Sequence, residues 1–415
     1  MENSIQTIVE CGALNKLPAT LAGHHGEILL IADDRTYEVA GKKVAAILKT
    51  AGHSIRECVL RRGTALVPDE DALAEIGAAL GDGTALSLAV GAGSITDLTR
   101  FISFKAGKPF IAVPTAPSMD GYASPVAVLT IKGFKQTLPA APPVAIVADP
   151  EIVATAPPLM IQAGLGDLLG KYTALADWKL SQIVNGEAYS DQIEAMMRMA
   201  VDKAVASFEI GSDLITCVKN LTEALIVSGI AMLKWGDSRP ASGAEHHLSH
   251  FWEMQDALRG AEGHLHGTKV GIATIWVCQY YQQLFSLSTA DLTQRLAAYQ
   301  SEPEPVYRQR IEDVFGPLAE AVLNDLQGYY RDSEKRAIRQ RLLVAHWPWL
   351  QHWVGEQVAT PERIIQLLKK AGAPTEIQDI GVNQEELRLA LQNAKEVRKR
   401  YTIFRLAEDI GWQMA

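Results

Sequence analysis

The sequence predicts two unlike parts: a Rossmann-like α/β domain over residues 1–155 and an all-α helical domain over residues 156–415. Three observations carry that expectation. At 415 residues the chain exceeds what one hydrophobic core ordinarily organises. Its first part alternates short apolar runs with stretches of helical period, the pattern of a parallel sheet covered by helices. From Pro157 onward the pattern turns to long helical periodicity with no further convincing strand.

Composition narrows the function classes. Hydrophobic residues at 48% and charged residues at 21% describe an ordinary globular chain, and a net charge of -9 with no Lys/Arg-rich run argues against nucleic acid and anionic membrane surfaces. Small soluble substrates fit better. Cys11, Cys58, Cys217 and Cys278 show no CxxC spacing, so they read as reduced thiols rather than a zinc ribbon or a disulfide framework. The first residues lack a basic segment followed by an apolar run, and no uninterrupted apolar stretch approaches the ~20 residues that span a bilayer. The expected location is the cytoplasm, without membrane insertion.

Residues 27–32 form an apolar strand that ends in Asp33-Asp34, and residues 36–52 read as a helix with Val39, Val44, Ala45 and Leu48 facing inward. A second strand is expected within 54–66, and a second helix over 69–80. Residues 84–90 are a buried-type strand that runs into Gly91-Ala92-Gly93-Ser94-Ile95-Thr96-Asp97 and a further helix. A glycine turn between strand and helix lets backbone N–H groups approach a phosphate, with the helix N-terminus adding partial positive charge; locally, a plain tight turn accounts for it as well. Asp33 shifts the weight toward a dinucleotide, because a carboxylate ending the first strand commonly takes the ribose hydroxyls and repels the extra phosphate of NADP.

After a strand at 109–113 comes the loop 114–125, rich in Pro, Gly, Ser and Thr, at the strand end where such sheets bind ligands. Asp120, at its middle, reads equally as a turn residue or a functional one. Residues 131–135 look like a β-turn and 144–148 like the last strand of the domain.

In the second part, Asp167 lies in an apolar, glycine-containing surround, where a buried carboxylate must be paired or metal-bound and an exposed one is merely solvated. Trp347, Trp349 and Trp353, interleaved with His346 and His352, read as packing rather than a ligand box. The densest chemistry is at 242–268, where half of the ten histidines fall. His246 and His250 are spaced i, i+4 and share a helix face. A helix over 243–258 has a stem of roughly 18 Å beyond His246, and an extended 259–265 reaches back about 23 Å, which returns His266 beside His246. Imidazole is the commonest transition-metal ligand, so a metal site is one reading and a solvated or core histidine cluster the other.

Five ordered motifs carry a family resemblance: Gly91–Asp97, Thr115-Ala-Pro-Ser-Met-Asp-Gly121, Gly164-Leu-Gly-Asp167, Ser238-Arg-Pro-Ala-Ser-Gly-Ala-Glu-His246 with His250, and Leu265-His-Gly267. With these the sequence resembles the glycerol-1-phosphate dehydrogenases, within the superfamily of iron-type alcohol dehydrogenases, glycerol dehydrogenases and 3-dehydroquinate synthases. The resemblance runs from about 27 to about 290 and touches Arg400-Tyr-Thr. It implies the dehydroquinate synthase-like fold, NAD(H) or NADP(H), one divalent ion (Zn, Ni or Fe) and a homo-oligomer.

Position by position, it implies Asp167, His246 and His266 as metal ligands and Asp120 and His250 as catalytic, substrate-contacting residues. Asp33, Gly91, Ala92, Gly93, Ser94, Ile95, Thr115, Ala116, Pro117, Ser118 and Ser124 match dinucleotide contacts. His247 should turn about 100° away from His246 on a helix and is not counted as a ligand. The expected reaction interconverts dihydroxyacetone phosphate and sn-glycerol 1-phosphate, with Arg239, or else Lys132 or Lys135, as the candidate cation for the substrate phosphate. A glycerol dehydrogenase is the alternative within the same chemistry. A 3-dehydroquinate synthase-like lyase ranks third, because Lys171 is the main candidate for the cationic lining it requires.

Overall fold

The structure, a computed structural model, describes residues 5–412 apart from 64, 133, 262 and 327–331, and apart from the side chains of Phe134 and Lys135. The chain divides into two compact units, Met1–Leu168 with Met199–Gly236 and Leu169–Arg198 with Asp237–Ala415. The sequence suggested one cut at 155/156, whereas the units interleave along the chain.

The first unit is built on a six-stranded parallel sheet. Its strands are β1 (Gln6–Val9), β2 (Glu27–Asp33), β3 (Ile55–Leu60), β4 (Thr84–Gly91), β5 (Phe110–Pro114) and β8 (Ala145–Ala148), in the order β1-β8-β5-β4-β2-β3. The hairpin of β6 (Val126–Ile131) and β7 (Phe134–Pro139) forms a separate two-stranded sheet. Both faces of the interior strand β2 are buried, which is why it reads as a continuous apolar run. Ile28, Leu30 and Ala32 join one core and Leu29 and Ile31 the other. β1 and the hairpin strands escaped the sequence reading. Of the turn expected at 131–135, Ile131 ends β6 and Phe134 begins β7, and residue 133 lies outside the described residues.

The Leu214–Trp235 helix belongs to this unit because its apolar side packs on the sheet side: Ile226 joins the core that holds Leu29, Ile31 and Tyr122. Helical period announces such a helix but not the unit that receives it. It is also long and apolar enough to cross a membrane by composition, with a mean hydropathy of 1.4 over its most apolar window; 56% of that window is buried within the protein.

The second unit is helical throughout its described residues, around a core that runs from Ala176 and Leu180 through Leu248, Phe251 and Tyr281 to Phe404 and Ile410. Trp347 is fully buried there, stacked on Phe285 with ring centroids 4.5 Å apart, and donates to the Leu287 carbonyl at 2.9 Å. It is packing, as its spacing suggested.

Candidate active site

In the first unit the nucleotide-type elements are made of backbone. β4 ends at Gly91, and the Gly93–Lys105 helix begins immediately after Ala92, whose side chain offers no cap to the first N–H groups. An uncapped N-terminus after a glycine turn is a ready anion site. A Cβ on Gly91 would come within 2.6 Å of Ile95, so the tight approach of strand end to helix requires glycine. Thr115 N donates to the Gly91 carbonyl at 3.2 Å, which sets the start of the 115–124 loop beside this turn. Thr115, Ala116 and Pro117 are buried, Ser118 is half-buried, and the Ser124 hydroxyl is engaged locally with Val126 N at 3.1 Å.

The loop is held by a residue the sequence reading missed. Arg100 is fully buried; it donates to the carbonyls of Gly121 (2.6 Å), Tyr122 (2.9 Å) and Val126 (3.1 Å) and pairs with Asp97. Burial lifts the Asp97 carboxyl to about 6 even with the guanidinium beside it, so desolvation makes this pair expensive. The loop also lies against Gly164, where a Cβ would stand 1.6 Å from the Pro117 carbonyl oxygen. Asp33 half-buries at the end of β2, and there it caps the following turn, accepting from Thr36 N at 2.7 Å.

Asp120 and Asp167 meet in this unit. Asp167 is fully buried and accepts from Asp120 N at 3.1 Å, which removes the solvated reading, while Asp120 Oδ2 accepts from Ser228 Oγ at 2.7 Å.

The second unit holds the histidines, and there the site is made of side chains. The Ala244–Arg259 helix carries His246 and His250, and His266 opens the His266–Leu284 helix. Their rings cluster with centroids 5.3 Å apart for His246–His266, 5.1 Å for His250–His266 and 6.0 Å for His246–His250. The return of His266 to His246 therefore occurs.

Each candidate ligand ring is fixed by a carboxylate. His246 Nδ1 lies 2.7 Å from Glu245 Oε1, and His266 Nδ1 lies 2.7 Å from Glu253 Oε1. Such a contact places the proton on Nδ1 and leaves the lone pair on Nε2, the nitrogen that a metal takes. Glu245 is itself set by Thr173 Oγ1 (2.6 Å) and Gly243 N (2.7 Å). Burial pushes Glu253 up, but His266 and His250 outweigh it and hold the carboxyl well below the usual range. The ligand atoms of His250, Glu253 and His266 also fall within 4.8 Å of one another. The hydrogen-bond distance from Glu253 to His266 makes that carboxylate the orienting group of this trio rather than a ligand.

His250 Nδ1 lies 3.5 Å from Glu253, and burial, followed by the charge of Arg398, pushes its pKa down to about 3. His250 is therefore a neutral imidazole. Beneath the histidine helix, Asp177 accepts from Ala244 N (2.6 Å), Ile403 N (2.6 Å) and Tyr281 Oη (2.8 Å); burial and then Glu245 lift its carboxyl to about 8.

Arg239, the expected phosphate cation, is committed elsewhere. Its Nε donates to Glu187 at 2.5 Å and its Nη1 pairs with Asp237, so its charge is already neutralised. Lys171 is buried and donates to the Ala241 carbonyl at 3.0 Å, so it lines no cationic pocket of the lyase kind. Lys132 is exposed, and the side chain of Lys135 lies outside the described residues.

Comparison with known proteins shows what the chain is similar to. Residues 8–157 match the family model described as iron-containing alcohol dehydrogenase. The glycerol-1-phosphate dehydrogenase [NAD(P)+] of Geobacillus thermodenitrificans is 33% identical over 403 residues, 96% of this chain and 91% of that protein. The chain belongs to the glycerol-1-phosphate dehydrogenase family. The member from Halalkalibacterium halodurans is 41% identical over 303 residues, 71% of this chain and 73% of that protein. At the level of fold, the glycerol dehydrogenase of Schizosaccharomyces pombe superposes with a TM-score of 0.61 at 16% identity, over 98% of this chain and 88% of that one. The dehydroquinate synthase-like architecture expected of the family is thus the one observed.

Of the site-building residues, Glu245, Glu253 and Arg100 were not singled out from sequence. A signal was present for each. Two carboxylates are interleaved with the histidines, and one arginine sits on a helix face that is otherwise apolar or small.

Proposed function

We propose that the protein is a metal-dependent oxidoreductase that interconverts dihydroxyacetone phosphate and sn-glycerol 1-phosphate with NADH in preference to NADPH. The observation that carries this reading is the pair of imidazoles, His246 and His266, each with Nδ1 held by an acidic side chain and Nε2 left as the donor. These two imidazoles and the Asp167 carboxylate are the donor set that the family resemblance implies, and donors of these types fit Zn, Ni or Fe. When bound, the ion supplies Lewis acidity toward a carbonyl oxygen and the nicotinamide supplies hydride.

The chain's own residues do the remainder. The Gly91–Ile95 turn and the 115–118 stretch, with Ser124, hold the dinucleotide pyrophosphate and nicotinamide ends, and Asp33 takes the ribose. Asp120, oriented by Ser228, binds substrate hydroxyl. His250 contacts the substrate, with Glu253 steadying its Nδ1, and a nearby His or water delivers the proton to the substrate oxygen. The phosphate-bearing substrate comes from the family relatives, which are named for glycerol 1-phosphate. We also take the protein to be a cytoplasmic homo-oligomer, which sedimentation of the purified chain tests.

The deciding experiment is oxidation of NADH on adding dihydroxyacetone phosphate or dihydroxyacetone, with Ni, Zn or Fe supplied separately. The phosphorylated ketone should be the better substrate by kcat/KM. A preference for the unphosphorylated ketone makes glycerol dehydrogenase the correct reading.

A further inference from the structure

Of two arginines near the C-terminus, Arg400 has no part in the reading above and Arg398 enters it only through its charge on His250. Arg398 and Arg400 lie on the bend between the Ala394–Glu396 turn and the Ile403–Asp409 helix, and both reach the start of the histidine helix. Arg398 Nη1 and Arg400 Nη2 donate to one acceptor, Ser238 Oγ, at 3.2 and 2.7 Å. Arg398 Nη2 meets His250 Nε2 at 3.2 Å, and Arg400 Nη1 donates to the Ser242 carbonyl at 2.5 Å. Among the described residues neither guanidinium makes an ion pair; Glu253, Asp325 and Asp237 act on Arg398, and Asp237 and Glu187 on Arg400, only through space. Two cations sharing one neutral hydroxyl leave both without a counter-charge in contact. Burial, and then the neighbouring Arg398, hold Arg400 down at about 10.

A second, independent observation points the same way. His247 is fully buried, and neither of its ring nitrogens has a hydrogen-bond partner among the described residues. An imidazole carries at least one N–H in either protonation state, so it has a donor to offer a neighbour. The hydroxyl of Ser242 is likewise buried and unpartnered. A buried imidazole without partners costs stability unless a ligand completes it.

We propose that Arg398, Arg400 and His247 form the subsite that grips the phosphate of the substrate, a monoester dianion, in place of Arg239. This rests on the reading that the substrate is phosphorylated. Two forked guanidiniums and one neutral N–H match the three outer oxygens of a phosphate, whereas Arg239 is already paired with Glu187 and Asp237. The segment that carries the arginines is fixed before any ligand arrives. Asp177 ties Ile403 N to Ala244 N, Tyr401 Oη donates to Asp409 at 2.9 Å, and Arg405 holds Glu396 at 2.5 Å. Arginines held this way lose little freedom on binding.

The test compares the parent chain with Arg398→Gln, Arg400→Gln and Arg400→Lys. Two quantities are measured: steady-state reduction of dihydroxyacetone phosphate, and the rise in melting temperature produced by inorganic phosphate on the enzyme. Among the described residues Arg400 donates only to Ser238 and Ser242, so its replacement separates phosphate grip from the orientation of His250. In the glutamine variants KM for dihydroxyacetone phosphate and the inhibition constant of phosphate should rise together, on the order of tenfold to a hundredfold, and the stabilisation by phosphate should vanish. Arg400→Lys should recover part of both, as charge without the fork. Melting without phosphate identifies a variant that fails to fold, and the lysine variant then decides. Folded variants with parental KM and parental stabilisation overturn the subsite while leaving the proposed function standing. A parent that ignores dihydroxyacetone phosphate removes the proposed function instead; phosphate stabilisation, present in the parent and lost in the variants, still supports the subsite, and a parent that phosphate does not stabilise overturns it.

Discussion

The glycine turn of the first unit and the histidine cluster of the second are made of opposite materials. The turn and the 115–124 loop present main chain, propped by Arg100 under the loop and by Gly164 and Gly91 through having no side chain at all, while Asp33, Asp120 and Asp167 are the side chains of that unit to which the proposed function gives a ligand. In the second unit main chain is hidden in helices and the surface is imidazole and guanidinium, wired through Glu245, Glu253 and Asp177. The difference follows from the ligands that the proposed function assigns to each. A pyrophosphate is satisfied by a row of N–H dipoles, whereas a metal ion and a phosphate dianion need lone pairs or full charges at fixed points. A backbone surface is consequently sensitive to what is added near it, and a side-chain surface to what is removed.

The sharpest way to break that comparison is to remove a ligand. His246→Ala and His266→Ala should each lose bound metal and reduce turnover by at least about a thousandfold, since each deletes one of three donors. Glu253→Gln keeps the donors and loosens only their orientation, so metal affinity should fall by roughly ten- to a hundredfold. Metal content of the purified variants, read by mass spectrometry, is the measurement, with His247→Ala as the reference that retains its metal. A His247 variant as metal-free as the His246 one would show that the ligand face of the helix has been misassigned.

A smaller effect is expected from the prop under the backbone surface. Arg100→Met leaves Asp97 buried without its partner and strips donors from three carbonyls, a loss of about 3–5 kcal/mol in stability. Thermal unfolding should show it, and the folded fraction should bind NADH more weakly while keeping its metal. Equal loss of metal and nucleotide in the folded fraction would mean that the two surfaces are not separately supported.

Asp33→Ala is the mildest change. It removes an N-cap, worth about 1 kcal/mol, and with it the charge proposed to exclude the extra phosphate of NADPH. The ratio of kcat/KM for NADH over NADPH should shrink several-fold. An unchanged ratio would leave Asp33 as a helix cap and nothing more.

Much of this molecule was legible before its structure. The parallel sheet showed itself because strands buried on both faces must be apolar throughout, as β2 and β4 are, and the histidine helix because two imidazoles four residues apart can share a face. What the sequence by itself determined was therefore local: strand, turn, helix, and which residue types stood ready at their ends. The pairing of separated segments was decided by the tertiary structure alone. Arg398 and Arg400 carry no local signal until their bend is tied to the histidine helix through Asp177, and Arg239 looks available until Glu187 and Asp237 close on it. The reason is physical: periodicity reports how a segment buries its own face, whereas contacts such as Arg239–Glu187 and Ile403–Asp177 join residues 52 and 226 apart in the chain, on which no local pattern depends.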